Sequence, residues 1–128
     1  MDSNLKKGIE LIKQVENLEA IKYLERAFET DPVNAEIHRH LGLAFNNLGD
    51  VEKAQFHWKK AVDLDSNHHQ TLWSLGNLYE GKGNYDQAFD LYSRAVRAAD
   101  AAGDNRKARR YEEWVKIAKK KTESLNTN

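Results

Sequence analysis

Two stretches of the chain, LGLAFNNLGDVEKA at residues 41–54 and LGNLYEGKGNYDQA at residues 75–88, align at an offset of 34 residues. They share a Leu-Gly pair, an aromatic residue three positions after it, a second Gly before Asp or Asn, and a closing Ala. The same offset runs outward from them. Gly8, Gly42 and Gly76 fall in one column, Ala20, Ala54 and Ala88 in a second, and Ala27, Ala61 and Ala95 in a third. Large apolar residues keep the register: Leu11, Phe45 and Tyr79, then Leu24, Trp58 and Tyr92. Five columns on one period mark three units, near residues 1–34, 35–68 and 69–102.

Each unit reads as two helices separated by a short polar break: Glu16-Asn17, Leu48-Gly49-Asp50 and Lys82-Gly83-Asn84. Gly49 and Gly83 suit the left-handed backbone that ends a helix. Asp50 and Asn84 are then placed to cap the next one. A Gly inside a helix costs up to about 1 kcal/mol relative to Ala, so Gly8, Gly42 and Gly76 imply a packing reason. Gly at the eighth position and Ala at the twentieth leave little side chain where paired helices face each other. The Ala27, Ala61 and Ala95 column makes room for the following unit. These nine residues form the expected repeat-packing set.

Composition agrees with an all-α chain, since its 128 residues hold a single Pro, Pro32, and 31% are charged. Lys+Arg and Asp+Glu both count 20, so no global field favours nucleic acid or membrane. Residues 1–66 carry 9 basic and 12 acidic side chains, a net of −3, and residues 67–128 carry 11 and 8, a net of +3. With no Cys, disulfides, thiolate catalysis and Cys-based zinc sites are excluded. The opening Met1 to Lys7 has no apolar core, so no signal peptide is expected. No apolar run nears the roughly 18 residues of a membrane span.

On these columns the chain resembles the tetratricopeptide-repeat (TPR) family. The match rests on Gly8, Ala20, Ala27 and Pro32 in the first unit, and on Leu41, Gly42, Ala54 and Ala61 in the second. In the third it rests on Leu75, Gly76, Tyr79, Ala88 and Ala95, and it covers about residues 1–102. The first unit departs at Asn4 and Lys7, where apolar residues are usual, and polar residues there suit an exposed end. The Pro column becomes Ser66 and then Asp100, and Ala98 to Ala102 holds no turn signal, so the sixth helix is expected to run on. A last helix follows, with a stripe of Ala108, Tyr111, Val115 and Ala118 at helical spacing, suited to capping the array. The spacing predicts seven helices, at 3–15, 18–30, 35–48, 51–64, 69–82, 85–102 and 104–121. Residues 1–121 are expected to form a single TPR domain, and 122–128 a disordered tail. The resemblance implies an α-solenoid, a right-handed superhelix whose concave groove is lined by the first helix of each unit.

The resemblance also implies which residues line that groove. Carried onto this chain they are Leu5, Ile9, Ile12 and Lys13, then Glu36, Arg39, His40, Leu43, Asn46 and Asn47, then Gln70, Trp73, Ser74, Asn77 and Glu80. Asn side chains suit the backbone of an extended peptide, and Trp and Arg are frequent binding hot spots. Trp73 adjoins Leu72, which takes the core position. It therefore either faces the groove, as expected here, or packs between units. The partner implied is a peptide or helix of another protein. Some family members grip a heat-shock chaperone's C-terminal carboxylate with Lys, Asn and Arg. Here those positions hold Leu5, Ile9, His40, Gln70 and Ser74, so no such carboxylate clamp is expected.

No Gly-rich phosphate loop or nucleophile motif stands out, and no enzymatic activity or cofactor is expected. His38, His40, His57, His68 and His69 include no helical pair at i,i+4, so they read as caps or solvated surface and not as a metal site. The basic final helix, with Arg106, Arg109, Arg110, Lys116 and Lys119 to Lys121 beside Tyr111 and Trp114, carries an alternative reading: association with nucleic acid or an acidic membrane. Trp114 and Ile117 widen its apolar stripe and carry another, self-association through the end helices. The expected state is a cytoplasmic monomer or weak homodimer, with protein and not nucleic acid as the partner.

Overall fold

The computed structural model describes residues 2–126. Among these the chain is all-α, with α1 (Ser3–Lys13), α2 (Asn17–Thr30), α3 (Ala35–Asn47), α4 (Val51–Leu64), α5 (His69–Gly81), α6 (Tyr85–Ala101) and α7 (Asn105–Asn126). The fold class is that of an α-solenoid of antiparallel helix pairs. The expected helices are all found, with ends shifted by a residue or two except at the C-terminus. There α7 continues through residues 122–126, where a disordered tail was expected. The run from Thr122 to Asn126 holds no helix breaker, and Thr122 Oγ1 donates to the Ala118 carbonyl at 3.0 Å. Residues 127 and 128 of that expected tail lie outside the described residues.

Contacts group the chain into two compact units, Met1–Asp65 and Ser66–Asn128. Stacked repeats touch only their neighbours, so such a division falls naturally at a repeat junction. The first unit holds α1 to α4 and the second α5 to α7. No helix of the described residues is long and apolar enough to cross a membrane.

The glycine column has a specific cause. A Cβ added at Gly8 would stand 2.7 Å from Leu24 Cγ, and one at Gly76 would stand 2.7 Å from Tyr92 Cε1. One at Gly42 would land on the Trp58 indole. The eighth residue of each unit is therefore the floor on which the twenty-fourth lies. The sequence reading paired this glycine with the Ala at position twenty. The structure shows its main neighbour to be the bulky residue one helical turn further on. The Ala column is nonetheless buried, with Ala20, Ala54 and Ala88 all at 0% exposure.

The break within each pair is built on one backbone bond. The N–H of Glu16, Asp50 and Asn84 reaches back to the carbonyl of Leu11, Phe45 and Tyr79, at 2.8, 2.9 and 2.8 Å. This six-to-one closure requires the residue before the donor to be left-handed. Gly49 and Gly83 supply it with φ of 82° and 80°. In the first unit the same position is Val15, at φ 62°, the one described non-Gly residue with positive φ. Its side chain is 79% exposed, so no packing offsets the strain of a β-branched residue there. Asp50 caps α4 through the Lys53 N–H at 3.2 Å. Asn84 makes no side-chain cap, contrary to expectation. Asp104 caps α7 instead, accepting from the Lys107 N–H at 3.0 Å, which sets the start of that helix one residue later than expected.

Two stability predictions follow from these positions. Gly76→Ala destabilises by about 1–3 kcal/mol although Ala is the better helix former, because the fully buried Tyr92 ring cannot give way. Gly81→Ala is the control, since an added Cβ there meets nothing within 4 Å. It should be neutral or stabilising in urea denaturation, and equal losses in the two variants would refute the steric account. Val15→Gly raises stability by roughly 0.5–1 kcal/mol, the relief of left-handed strain less the added freedom of the unfolded chain. Thermal denaturation checks it, and a lowered Tm would show that Val15 is not strained.

Candidate functional site

In the N-terminal compact unit, Met1–Asp65, the exposed side of α3 carries Leu43, Asn46 and Asn47, all solvent-exposed, while Ile37, Leu41, Ala44 and Phe45 are buried. Arg39 and His40 are half-buried beside them, as are Ile9 and Ile12 on α1. Leu5, by contrast, is a core residue at 2% exposure. Each polar residue has a different local tie. His40 Nδ1 lies 2.9 Å from the Glu36 carbonyl of its own helix. Asn47 Nδ2 donates to Asn17 Oδ1 at 3.1 Å and so ties α3 to α2. The Asn46 side chain makes no hydrogen bond among the described residues. Arg39 Nη1 lies 3.6 Å from Asp65 Oδ2, within ion-pair range but beyond hydrogen-bonding distance, and this buried N–H has no acceptor.

In the second unit the corresponding residues are drawn inward. Asn77 Oδ1 accepts from the Tyr92 hydroxyl at 2.7 Å, and Glu80 Oε1 accepts from the same hydroxyl at 3.1 Å. Glu80 Oε2 also accepts from Lys121 Nζ at 3.2 Å. Burial, then the Glu80 charge and hydrogen bond, push the Tyr92 phenol well above its ordinary pKa. Trp73 is half-buried beneath α7, with ring centroids 6.3 Å from Tyr111 and 5.9 Å from Trp114. Its indole N–H is buried without an acceptor. Arg39 and Trp73, 34 residues apart, thus each hold an unsatisfied buried donor at the same repeat position. Orphaned buried donors are rare, because each forfeits its hydration.

The histidines divide as sequence spacing could not show. His68 caps α5, with Nδ1 accepting from the Thr71 N–H at 3.3 Å. His69 Nδ1 meets the Tyr111 hydroxyl at 2.9 Å. His38 and His57 come together across α3 and α4, Nδ1 to Nδ1 at 3.1 Å. The His57 ring stacks on Phe45 with centroids 5.5 Å apart. Nineteen residues separate the two histidines, and only helix pairing brings them into contact.

A family model for the tetratricopeptide repeat matches residues 33–101, and a second one matches residues 5–56. Among curated proteins, the probable biofilm formation methyltransferase WspC of Pseudomonas putida is 32% identical over 74 residues, covering 58% of this chain and 18% of that protein. Superkiller complex protein 3 of Homo sapiens is 33% identical over 100 residues, covering 68% of this chain and 6% of that protein. The chain thus spans a small part of the curated relatives it matches. A solved structure of PcrH in complex with the chaperone-binding region of PopD superposes with a TM-score of 0.85 at 18% identity. That match covers 93% of this chain and 90% of PcrH, which another solved structure assigns to Pseudomonas aeruginosa.

The histidine pair gives the first unit a pH response. Desolvation, then the neighbouring His38 and Lys53, lower His57 from 6.5 to about 4, and desolvation chiefly lowers His38 as well. Between pH 6.5 and about 4 the unfolded chain therefore holds a proton on His57 that the folded chain lacks. Stability falls as pH drops through that window, by up to about 1.4 kcal/mol per pH unit from this one group. His57→Phe keeps the stacking on Phe45 and removes the titration. Its Tm should fall less between pH 7 and pH 5 than the parent's, and parallel pH profiles would refute the assignment.

Proposed function

This chain belongs to the tetratricopeptide-repeat family, and from that premise we propose that it is a non-enzymatic protein-interaction module. Its first helices take up an extended or helical segment of another protein. The observation that carries this reading is the strip on α3. Leu43, Asn46 and Asn47 stand in solvent on a helix whose other side is core, and Arg39 beside them holds a donor without an acceptor. Amide groups pair with both the N–H and the C=O of a peptide backbone, while Leu43 offers apolar area. Helices packed on a finished core are pre-organised, so the ordering cost falls on the bound segment.

The likeness to chaperones seen holding partner segments supports the same reading. PcrH is seen with the chaperone-binding region of PopD, and the Yersinia enterocolitica chaperone SycD with a peptide of the translocator YopD. The concave groove expected of the family is the proposed seat of the segment. Ile9 and Ile12 are its apolar end, and Arg39, His40, Leu43, Asn46 and Asn47 its middle.

Affinity capture from the native source, with the parent chain and a Leu43→Ser/Asn46→Ala variant as baits, tests the assignment. Both side chains are exposed, so the variant should keep its helicity by circular dichroism. The captured protein should bind the variant roughly tenfold more weakly, the loss of a modest hot spot. Equal binding by both baits would place the interaction elsewhere.

A further inference from the structure

The second unit holds a cavity of about 100 Å³ between α5 and α7, lined by Gln70, Trp73, Lys107, Arg110, Tyr111 and Trp114. Three rings line it, with Trp73 edge-on to Trp114 at an interplanar angle of 73°. The Tyr111 hydroxyl is already held by His69. What remains is positive or donating. Lys107 and Arg110 form no ion pair among the described residues, and the Trp73 indole N–H is buried without an acceptor. The Asp104 field acts on Tyr111, and its carboxylate caps α7 through the Lys107 backbone N–H.

We infer that this cavity receives an acidic side chain, Asp or Glu, from a protein partner. The inference rests on the reading of the chain as a protein-interaction module and specifies a partner's chemistry at the C-terminal unit. A carboxylate is an acceptor for both cations, and it needs no donor from the wall. The aromatic walls lower the local dielectric beside the cations and so strengthen charge-assisted hydrogen bonds. The volume admits one small group, since a water needs only about 10–15 Å³ on this measure. A nucleic-acid backbone fits less well. The basic residues of α7 are interrupted by Glu112 and Glu113, and no continuous stripe follows a chain of phosphates.

The test is a titration of the whole ¹⁵N-labelled protein with two end-blocked tripeptides, acetyl-Leu-Glu-Leu-amide and acetyl-Leu-Gln-Leu-amide. The readout is the Trp73 indole resonance, identified by its loss in Trp73→Phe. The Glu peptide should shift it saturably, and the Gln peptide should bind at least about tenfold more weakly. Lys107→Ala/Arg110→Ala should weaken the Glu peptide by about tenfold or more, while Arg106→Ala/Arg109→Ala on the same helix changes it by less than about twofold.

Equal shifts by the two peptides, or equal losses in the two double variants, would overturn the inference. So would a short oligothymidylate that moves the resonance at lower concentration than the Glu peptide. A Glu peptide that moves Leu43 and Asn46 but leaves the Trp73 indole in place removes the cavity and keeps the peptide-binding reading. A saturating Trp73 shift, alongside a partner indifferent to Leu43 and Asn46, keeps the cavity and removes the α3 assignment.

Discussion

The missing Cβ at the eighth position of each unit is the constraint on which the rest of the structure depends. Without it, Leu24, Trp58 and Tyr92 can lie directly on the backbone of the preceding helix. Burying such a side chain contributes about 1.5–3 kcal/mol relative to leaving it exposed. That exceeds the roughly 1 kcal/mol that a helical Gly costs, so the column is favourable wherever its bulky partner is present. The pair of helices is then held at a separation that no other residue at the eighth position permits.

The same contact shapes the exposed side of the first helix, because the polar atoms of the twenty-fourth residue bond groups on that helix. Leu24 has no polar end, and Ile9 and Ile12 above it remain apolar and half-buried. Trp58 donates its indole N–H to the Arg39 carbonyl at 3.0 Å, which leaves the Arg39 side chain to Asp65. Tyr92 reaches further and takes both Asn77 and Glu80. Core and candidate site are thus one system in which the identity at position twenty-four decides how much of the neighbouring side is available. That is why the Asn46 side chain stays free while that of Glu80, in the same column, does not.

The period, the seven helices and the glycine columns were legible in the sequence because each rests on spacing alone. The family carried over candidate positions, but not what each side chain would be doing there. Asn77, Glu80 and Asn47 look alike as polar groove residues in a sequence, yet each is tied to another helix by a hydrogen bond. Trp73 was legible as an anomaly beside Leu72, but the helix covering it belongs to no repeat, and no column predicts its angle. The His38–His57 contact was invisible for a similar reason. A search at helical spacing within one helix misses a pair that forms across two. Residues 122–126 were expected in a terminal tail, but with no breaker among them they extend the helix that Asp104 caps.

Val15 shows which part of the pattern is geometry and which is residue type. Gly49 and Gly83 suggest that the column demands glycine, but the first unit makes the same closure, Glu16 N–H to Leu11 carbonyl at 2.8 Å, with a β-branched residue at φ 62°. The demand is for the backbone bond, and glycine is the least strained way to meet it. A left-handed L-residue costs about 1–2 kcal/mol, less than the joint worth of the closure and of Leu11 and Leu24 packed on either side of it. The repeat therefore survives at a position where its most diagnostic residue is absent. A reading that required glycine at every break would have placed the first unit outside the array.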